Sequence, residues 1–219
     1  MDYAKARRSM VDCQIHPMGV VSEKILNAFE TVPREKYVPE QYQDVCYVDE
    51  DIQIAEGRYL MEPSVFGRLI EAGDIQESDA VLTIGSGIGY NAAILSHLCS
   101  TVVALEKDAS LTKAAQQSWD TCGYNNIAAI SGDLREGAEK FAPYDVILFN
   151  GAIEEVPAKI RNQLKIGGKL LAIIRKSPSE LAKATLFVKT DDNNVSGRIL
   201  FDAGTPYLDG FKPEKSFVF

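Results

Sequence analysis

Apolar residues follow two rhythms along this chain. From position 80 onward, short continuous apolar runs alternate with stretches whose apolar residues recur every three or four positions. The runs are Ala80–Ile84, Thr101–Leu105, Ile127–Ile130, Asp145–Phe149 and Lys169–Ile174. Each has the length and density of a strand buried on both faces. The stretches between them predict helices over Tyr90–Leu98, over about Ser110–Cys122 with Leu111, Ala114, Ala115 and Trp119 inward, and near Pro157–Leu164. Strand and helix in regular alternation predict an α/β domain with a parallel sheet and right-handed crossovers. Two later runs, Ala184–Lys189 and Val195–Phe201, flank a turn-forming Asp/Asn cluster and predict an antiparallel hairpin on the sheet edge.

The first third reads differently. Residues 2–15 predict a helix with Met10, Val11 and Ile15 on one face, ended by His16-Pro17-Met18-Gly19. Ser22 is placed to cap a second helix carrying Ile25, Leu26, Phe29 and Val32, which Pro33 stops. Residues 34–63 show no period; they hold Tyr42, Tyr47, Tyr59, the acidic run Asp49–Asp51 and Gly57, the make-up of a lid or binding loop. Pro63 then opens a helix with Val65, Leu69 and Ile70 inward, ending at Gly73-Asp74. The expected division is an N-terminal helical or lid segment, 1–75, and a core, 76–219, that includes the hairpin and an irregular tail from Thr205 to Phe219.

Chemistry enters where the first strand breaks into Gly85-Ser86-Gly87-Ile88-Gly89-Tyr90. A dinucleotide fingerprint is G-x-G-x-x-G; this turn is G-x-G-x-G, which favours S-adenosylmethionine over a nicotinamide dinucleotide. The second run ends on Glu106, an acid able to hold two ribose hydroxyls. The third ends in Ser131-Gly132-Asp133, where a carboxylate can accept from an adenine amino group. Glycine, acid and acid thus stand at three successive strand ends.

Composition narrows the remaining classes. Twenty-three Lys and Arg against 31 Asp and Glu give a net charge of −8, the wrong sign for a broad phosphate-binding face, so a nucleic-acid partner is not expected. Cys13, Cys46, Cys99 and Cys122 lack C-x-x-C spacing, and the first residues lack the apolar stretch of a signal peptide. No run approaches the ~20 apolar residues of a membrane span. The expectation is a cytoplasmic protein with free thiols, no membrane partner and no metal, since no cluster has ligand spacing.

Several stretches together resemble the protein-L-isoaspartate O-methyltransferase family: Met10–Ile15, Val32–Pro39, the glycine turn, Ala142–Ile147 and Gln163–Lys169. The resemblance covers most of the chain. It implies a Rossmann-like methyltransferase fold with a mainly parallel seven-stranded sheet, S-adenosylmethionine as donor, and methyl transfer to a carboxylate of damaged, isoaspartyl protein. Gly85, Ser86, Gly87, Glu106 and Asp133 match donor-binding positions, with Gly89, Lys107 and Leu134 beside them. Two positions depart from the family. Thr83 stands where an acid usually precedes the turn, and Tyr59-Leu60-Met61-Glu62-Pro63 aligns with a Thr-Ile-Ser-x-Pro loop, which puts Met61 at the position of the active-site serine. A thioether offers neither a donor nor a good acceptor.

A carboxylate acceptor is ionised at neutral pH and needs no base; a hydroxyl or amine acceptor needs one within reach. Glu62 is the nearest candidate, with Glu56 and Asp12 behind it. Asn150, after the fourth strand, is the third candidate for the transfer site alongside Met61 and Glu62. His97 reads as a packed or surface residue, and His16 sits in a loop. A protein or peptide acceptor, a small-molecule acceptor on the same fold, and a non-catalytic donor-binding module all remain open, as does the oligomeric state.

Overall fold

The computed structural model describes residues 1–192 and 194–213. Seven strands form one sheet in the order β5-β4-β3-β6-β7-β8-β9, where β3 is Ala80–Ile84, β4 Thr101–Glu106, β5 Ile127–Ser131, β6 Tyr144–Ile153, β7 Leu164–Ile174, β8 Ala182–Lys189 and β9 Val195–Ala203. Strands β5 through β7 run parallel; β8 and β9 add antiparallel to the β7 edge. The chain leaves β3 toward β4 on one side and returns to β6 on the other, so the strand order reverses between β3 and β6. In open α/β sheets the crevice beyond the strand C-termini at such a reversal is where ligands bind.

Strand alternation divides the core into two layers. Val81, Val102, Ala104, Val146, Leu148, Leu171 and Ile173 point to one face and pack with the N-terminal helices. Leu82, Ile84, Val103, Leu105, Ile147, Phe149, Leu170 and Ala172 point to the other, where Leu134, Ile160, Leu208 and Phe211 cover them. The helices are α1 (Tyr3–Met10), α2 (Glu23–Thr31), α3 (Pro63–Gly73), α4 (Tyr90–Ser96), α5 (Ala109–Cys122) and α6 (Ala158–Asn162). Asp2 caps α1 by accepting from the Lys5 amide, and Asp108 caps α5 by accepting from the Ser110 and Leu111 amides. Past Met10 the first helix loosens into a π-helical turn, Val11–Ile15, and a 3₁₀ turn, His16–Met18.

Four details differ from the sequence reading. Residues 52–60 are not aperiodic loop: β1 (Ile52–Ala55) and β2 (Arg58–Leu60) form a two-stranded antiparallel hairpin about Gly57. A strand of three or four residues carries too few alternations to be read as a period. Helix α4 stops at Ser96, two residues short. Strand β6 continues through Asn150 to Ile153 because Ala152 pairs with both Ile173 of β7 and Tyr207 of the tail. Strand β7 starts at Leu164, ahead of the glycine pair, through an irregular register between Tyr144 and Val146. The tail ending Ser216–Phe219 lies outside the described residues.

Candidate active site

The glycine turn leaves β3 at the reversal point, and the Gly85 and Ser86 amides both donate to the Leu105 carbonyl, at 2.8 and 3.1 Å, which locks the turn to β4. Gly85 and Gly87 adopt φ of 75° and 55°, a region costly for residues with a Cβ. Gly89 opens α4, and its carbonyl accepts from the Trp119 indole at 3.0 Å.

Glu106 ends β4 fully buried. Its carboxylate is already saturated. The Gly87 amide donates to one oxygen at 2.9 Å, and the Lys107 and Asp108 amides to the other at 2.7 and 3.0 Å. Arg58 of β2 then closes the set, its Nε 3.0 Å from both oxygens and its Nη2 2.8 Å from Oε1. Arg58 is itself 4% exposed, so the pair is a buried ion pair of fork geometry.

Space over the glycines is also taken by the chain itself. A Cβ added to Gly85 would lie 2.5 Å from Leu208, one added to Gly87 would lie 2.6 Å from Ile54, and one added to Gly151 would lie 2.9 Å from the Leu208 Cβ. The cleft that remains, lined by Glu56, Arg58, Lys107, Asp108, Leu111 and Asp209, holds about 230 Å³, below the ~300–1,000 Å³ usual for small-molecule sites. A cavity of about 380 Å³ lies elsewhere, between Glu154, Arg161, Leu170 and Phe187, away from the turn. The residue types at the strand ends suit S-adenosylmethionine, and Leu208, Ile54 and the Arg58 guanidinium stand against the glycines and the acid.

The other expected donor-binding residues are dispersed. Ser86 is buried in the turn, Lys107 is exposed with its ammonium 3.4 Å from Asp209, and Leu134 lies in the core layer with Ile160, Leu208 and Phe211. Asp133 is exposed and accepts from the Arg135 amide at 2.8 Å.

Asn150 is tied inward. Its amide donates to Thr83 Oγ1 at 2.6 Å and to the Ile84 carbonyl at 2.9 Å, and its oxygen accepts from Asn91 at 2.8 Å. Thr83 thus fills the acid's place as a neutral acceptor that couples β3 to β6. Met61 is buried in the core layer shared with the N-terminal helices. Its carbonyl accepts from the guanidinium of Arg34, which is wholly buried, donates also to the Cys46 carbonyl and lies 4.9 Å from the centre of the Tyr90 ring. Burial lowers the pKa of Arg34.

Glu62 is half-buried at the N-terminus of α3, among Asp49, Glu50 and Asp51. Its amide donates to Asp51 and the Ser64 amide to Asp49. Burial, and then the neighbouring carboxylates, push Glu62 up to about 7, and burial pushes Asp51 up to about 6. Glu62 is therefore poised near neutrality, as a general base requires. His97 is exposed on one side and packs edge-on against Tyr124 on the other, and the partial loss of water around the ring lowers its pKa. Among the described residues no group of three His, Cys, Asp or Glu could hold a metal ion, and no helix is long and apolar enough to cross a membrane.

Arg58, Ile54, Leu208 and Asp209 shape this crevice, and sequence reasoning passed over all four. Their only local signal is Gly57-Arg58, a turn glycine followed by a cation.

A family model described as protein-L-isoaspartate(D-aspartate) O-methyltransferase matches residues 6–203. The chain belongs to this family. The protein-L-isoaspartate O-methyltransferase of Koribacter versatilis is 34% identical over 195 residues, covering 84% of this chain and 88% of that protein. That of Petrotoga mobilis is 33% identical over 197 residues, covering 89% and 91%. A solved protein-L-isoaspartate O-methyltransferase matches with a TM-score of 0.80 at 28% identity, over 94% of this chain and 67% of the other. A Plasmodium falciparum structure in complex with S-adenosyl-L-homocysteine matches with a TM-score of 0.78 at 17% identity, over 93% and 98%, and shares the fold.

Proposed function

We propose that this chain is an S-adenosylmethionine-dependent methyltransferase of the protein-L-isoaspartate type, acting on a carboxylate of damaged protein. The observation that carries the reading is the family match over residues 6–203, joined to a glycine turn and a buried acid at the reversal point of the sheet. When bound, S-adenosylmethionine supplies an activated methyl group. The chain's own part is positional: the turn and Glu106 define the donor site, and the loop from Met61 to Pro63, pinned by Arg34, forms the wall in which family members carry the serine. An ionised carboxylate acceptor asks for orientation and no base.

A second reading rests on Glu62. With its carboxyl near pKa 7 in the loop next to Met61, it could accept a proton from a hydroxyl or amine acceptor, and the acids around it would repel a carboxylate. Incubation with methyl-labelled S-adenosylmethionine and a peptide carrying one isoaspartyl residue, against its aspartyl twin, separates the two. Base-labile label on the isoaspartyl peptide alone supports the first reading. Label on neither peptide, with transfer to a hydroxyl or amine acceptor that Glu62→Gln abolishes, supports the second.

A further inference from the structure

The tail after β9 crosses the C-terminal ends of the parallel strands, through the crevice where an open α/β sheet ordinarily takes its ligand. It is fixed at every step. The Ala152 amide donates to the Pro206 carbonyl and the Leu208 amide to the Ala152 carbonyl, both at 2.8 Å, and the Glu154 amide donates to the Phe211 carbonyl at 3.1 Å. The Tyr207 hydroxyl donates to the Arg175 carbonyl, and Arg135 Nε donates to the Gly210 carbonyl at 2.7 Å. Leu208 and Phe211 are each 2% exposed, Phe211 stacking edge-on against Phe149. Leu208 rests on Gly85 at the end of β3 and on Gly151 near the end of β6, which is the reversal point itself.

The hairpin closes the same crevice from the other side. Ile54 sits on Gly87, and Arg58 takes the carboxylate of Glu106. The two devices also meet each other: Asp209 of the tail stands 3.8 Å from Arg58 and 3.4 Å from Lys107, and its Cβ lies against Gly57 at the hairpin turn. A donor laid over Gly85 and Gly87 with its ribose on Glu106 would have to displace Leu208, Ile54 and the Arg58 guanidinium together.

We propose that residues 205–211 form a strap which, latched to the β1–β2 hairpin through Asp209 and Arg58, holds the S-adenosylmethionine site shut, so that the donor enters only when the strap leaves. This rests on the donor reading given above and deepens it. The strap and the donor compete for one volume, and the apparent affinity is scaled down by the fraction of molecules in which the strap is open.

The test is binding, with a structural readout beside it. S-adenosylhomocysteine is titrated calorimetrically into the wild-type chain, into Leu208→Gly and into Asp209→Asn, with circular dichroism confirming that each is folded. Hydrogen exchange of the Ala152 and Leu208 amides is followed with and without ligand. Leu208→Gly empties the volume over Gly85 and Asp209→Asn weakens the latch; each should tighten binding, Leu208→Gly at least tenfold. In the wild type, ligand should speed exchange at Ala152 and Leu208 at least tenfold. Equal affinity in all three proteins, or ligand bound with those amides still protected, overturns the strap while leaving the donor reading intact. No binding by any of the three folded proteins at millimolar ligand overturns the donor reading and the strap with it.

Discussion

Arg58 and Glu106 should be coupled asymmetrically, and a double-mutant cycle measures by how much. Glu106 is held by three backbone amides besides Arg58, whereas among the described residues Arg58 has the Gly57 carbonyl at 3.1 Å and a distant Asp209 besides Glu106. In Arg58→Met the carboxylate keeps its three amides, so the cost is the loss of charge-assisted hydrogen bonds, about 2–3 kcal/mol. In Glu106→Gln a buried guanidinium is left without its counter-charge and faces a new amide donor, which costs about 3–5 kcal/mol. The double variant removes both charges and should recover about 1.5–3 kcal/mol against the sum of the singles. Urea unfolding followed through the fluorescence of Trp119, the chain's one tryptophan and buried beside Gly89, reports the cycle. Because about 1 kcal/mol moves the melting temperature roughly 2–4 °C in a chain of this size, Glu106→Gln should melt some ~6–20 °C lower. Singles that add to within about 0.5 kcal/mol, or an Arg58→Met cost equal to that of Glu106→Gln, would refute a sealed, charge-compensated pair.

Other consequences can be checked on the folded protein. Gly85→Ala places a Cβ 2.5 Å from Leu208 at a φ of 75°, and should cost ~2–4 kcal/mol, of which a second change, Leu208→Ala, restores only the steric part and not the backbone strain. Chemical denaturation of the single and double variants gives both parts. Arg34→Met removes the donors to the Cys46 and Met61 carbonyls and strands both acceptors in the core; a loss of ~2–4 kcal/mol is expected, and a change within about 0.5 kcal/mol would show that Arg34 does not hold the loop. The raised carboxyls of Glu62 and Asp51 make the folded state bind more protons than the unfolded chain between the ordinary carboxylate range and about pH 7. Stability must then fall as pH rises through that window. Glu62→Gln should flatten the upper part of the profile, and an unchanged slope between pH 5 and 7 would exclude Glu62 as its source.

What was legible in the sequence divides along a physical line. The strands from β3 to β7 are buried on both faces, so their composition alone marks them, and the start and stop signals at Pro33, Pro63 and Gly73 set helix ends that the structure reproduces. Glu106 was legible as a buried strand-end acid because glycine turn and acid follow from the topology of a parallel sheet. Its partner was not. Arg58 lies on a three-residue strand whose side chain is fixed by a residue 48 positions later, and no periodicity encodes a contact of that kind. The tail was illegible for the same reason: Leu208 and Phe211 are isolated apolar residues among Pro, Gly and Asp, and they become core only because β6 runs past Asn150 and offers Ala152 as a pairing edge. Asn150 was legible in part. At the end of a strand it reads equally as a pocket residue or as a hydrogen-bonder, and inside the longer strand its amide donates to Thr83 and Ile84 and accepts from Asn91. The positions that close over this crevice are thus the ones whose structure is set by tertiary contact, while the positions that announce the crevice are set by local sequence.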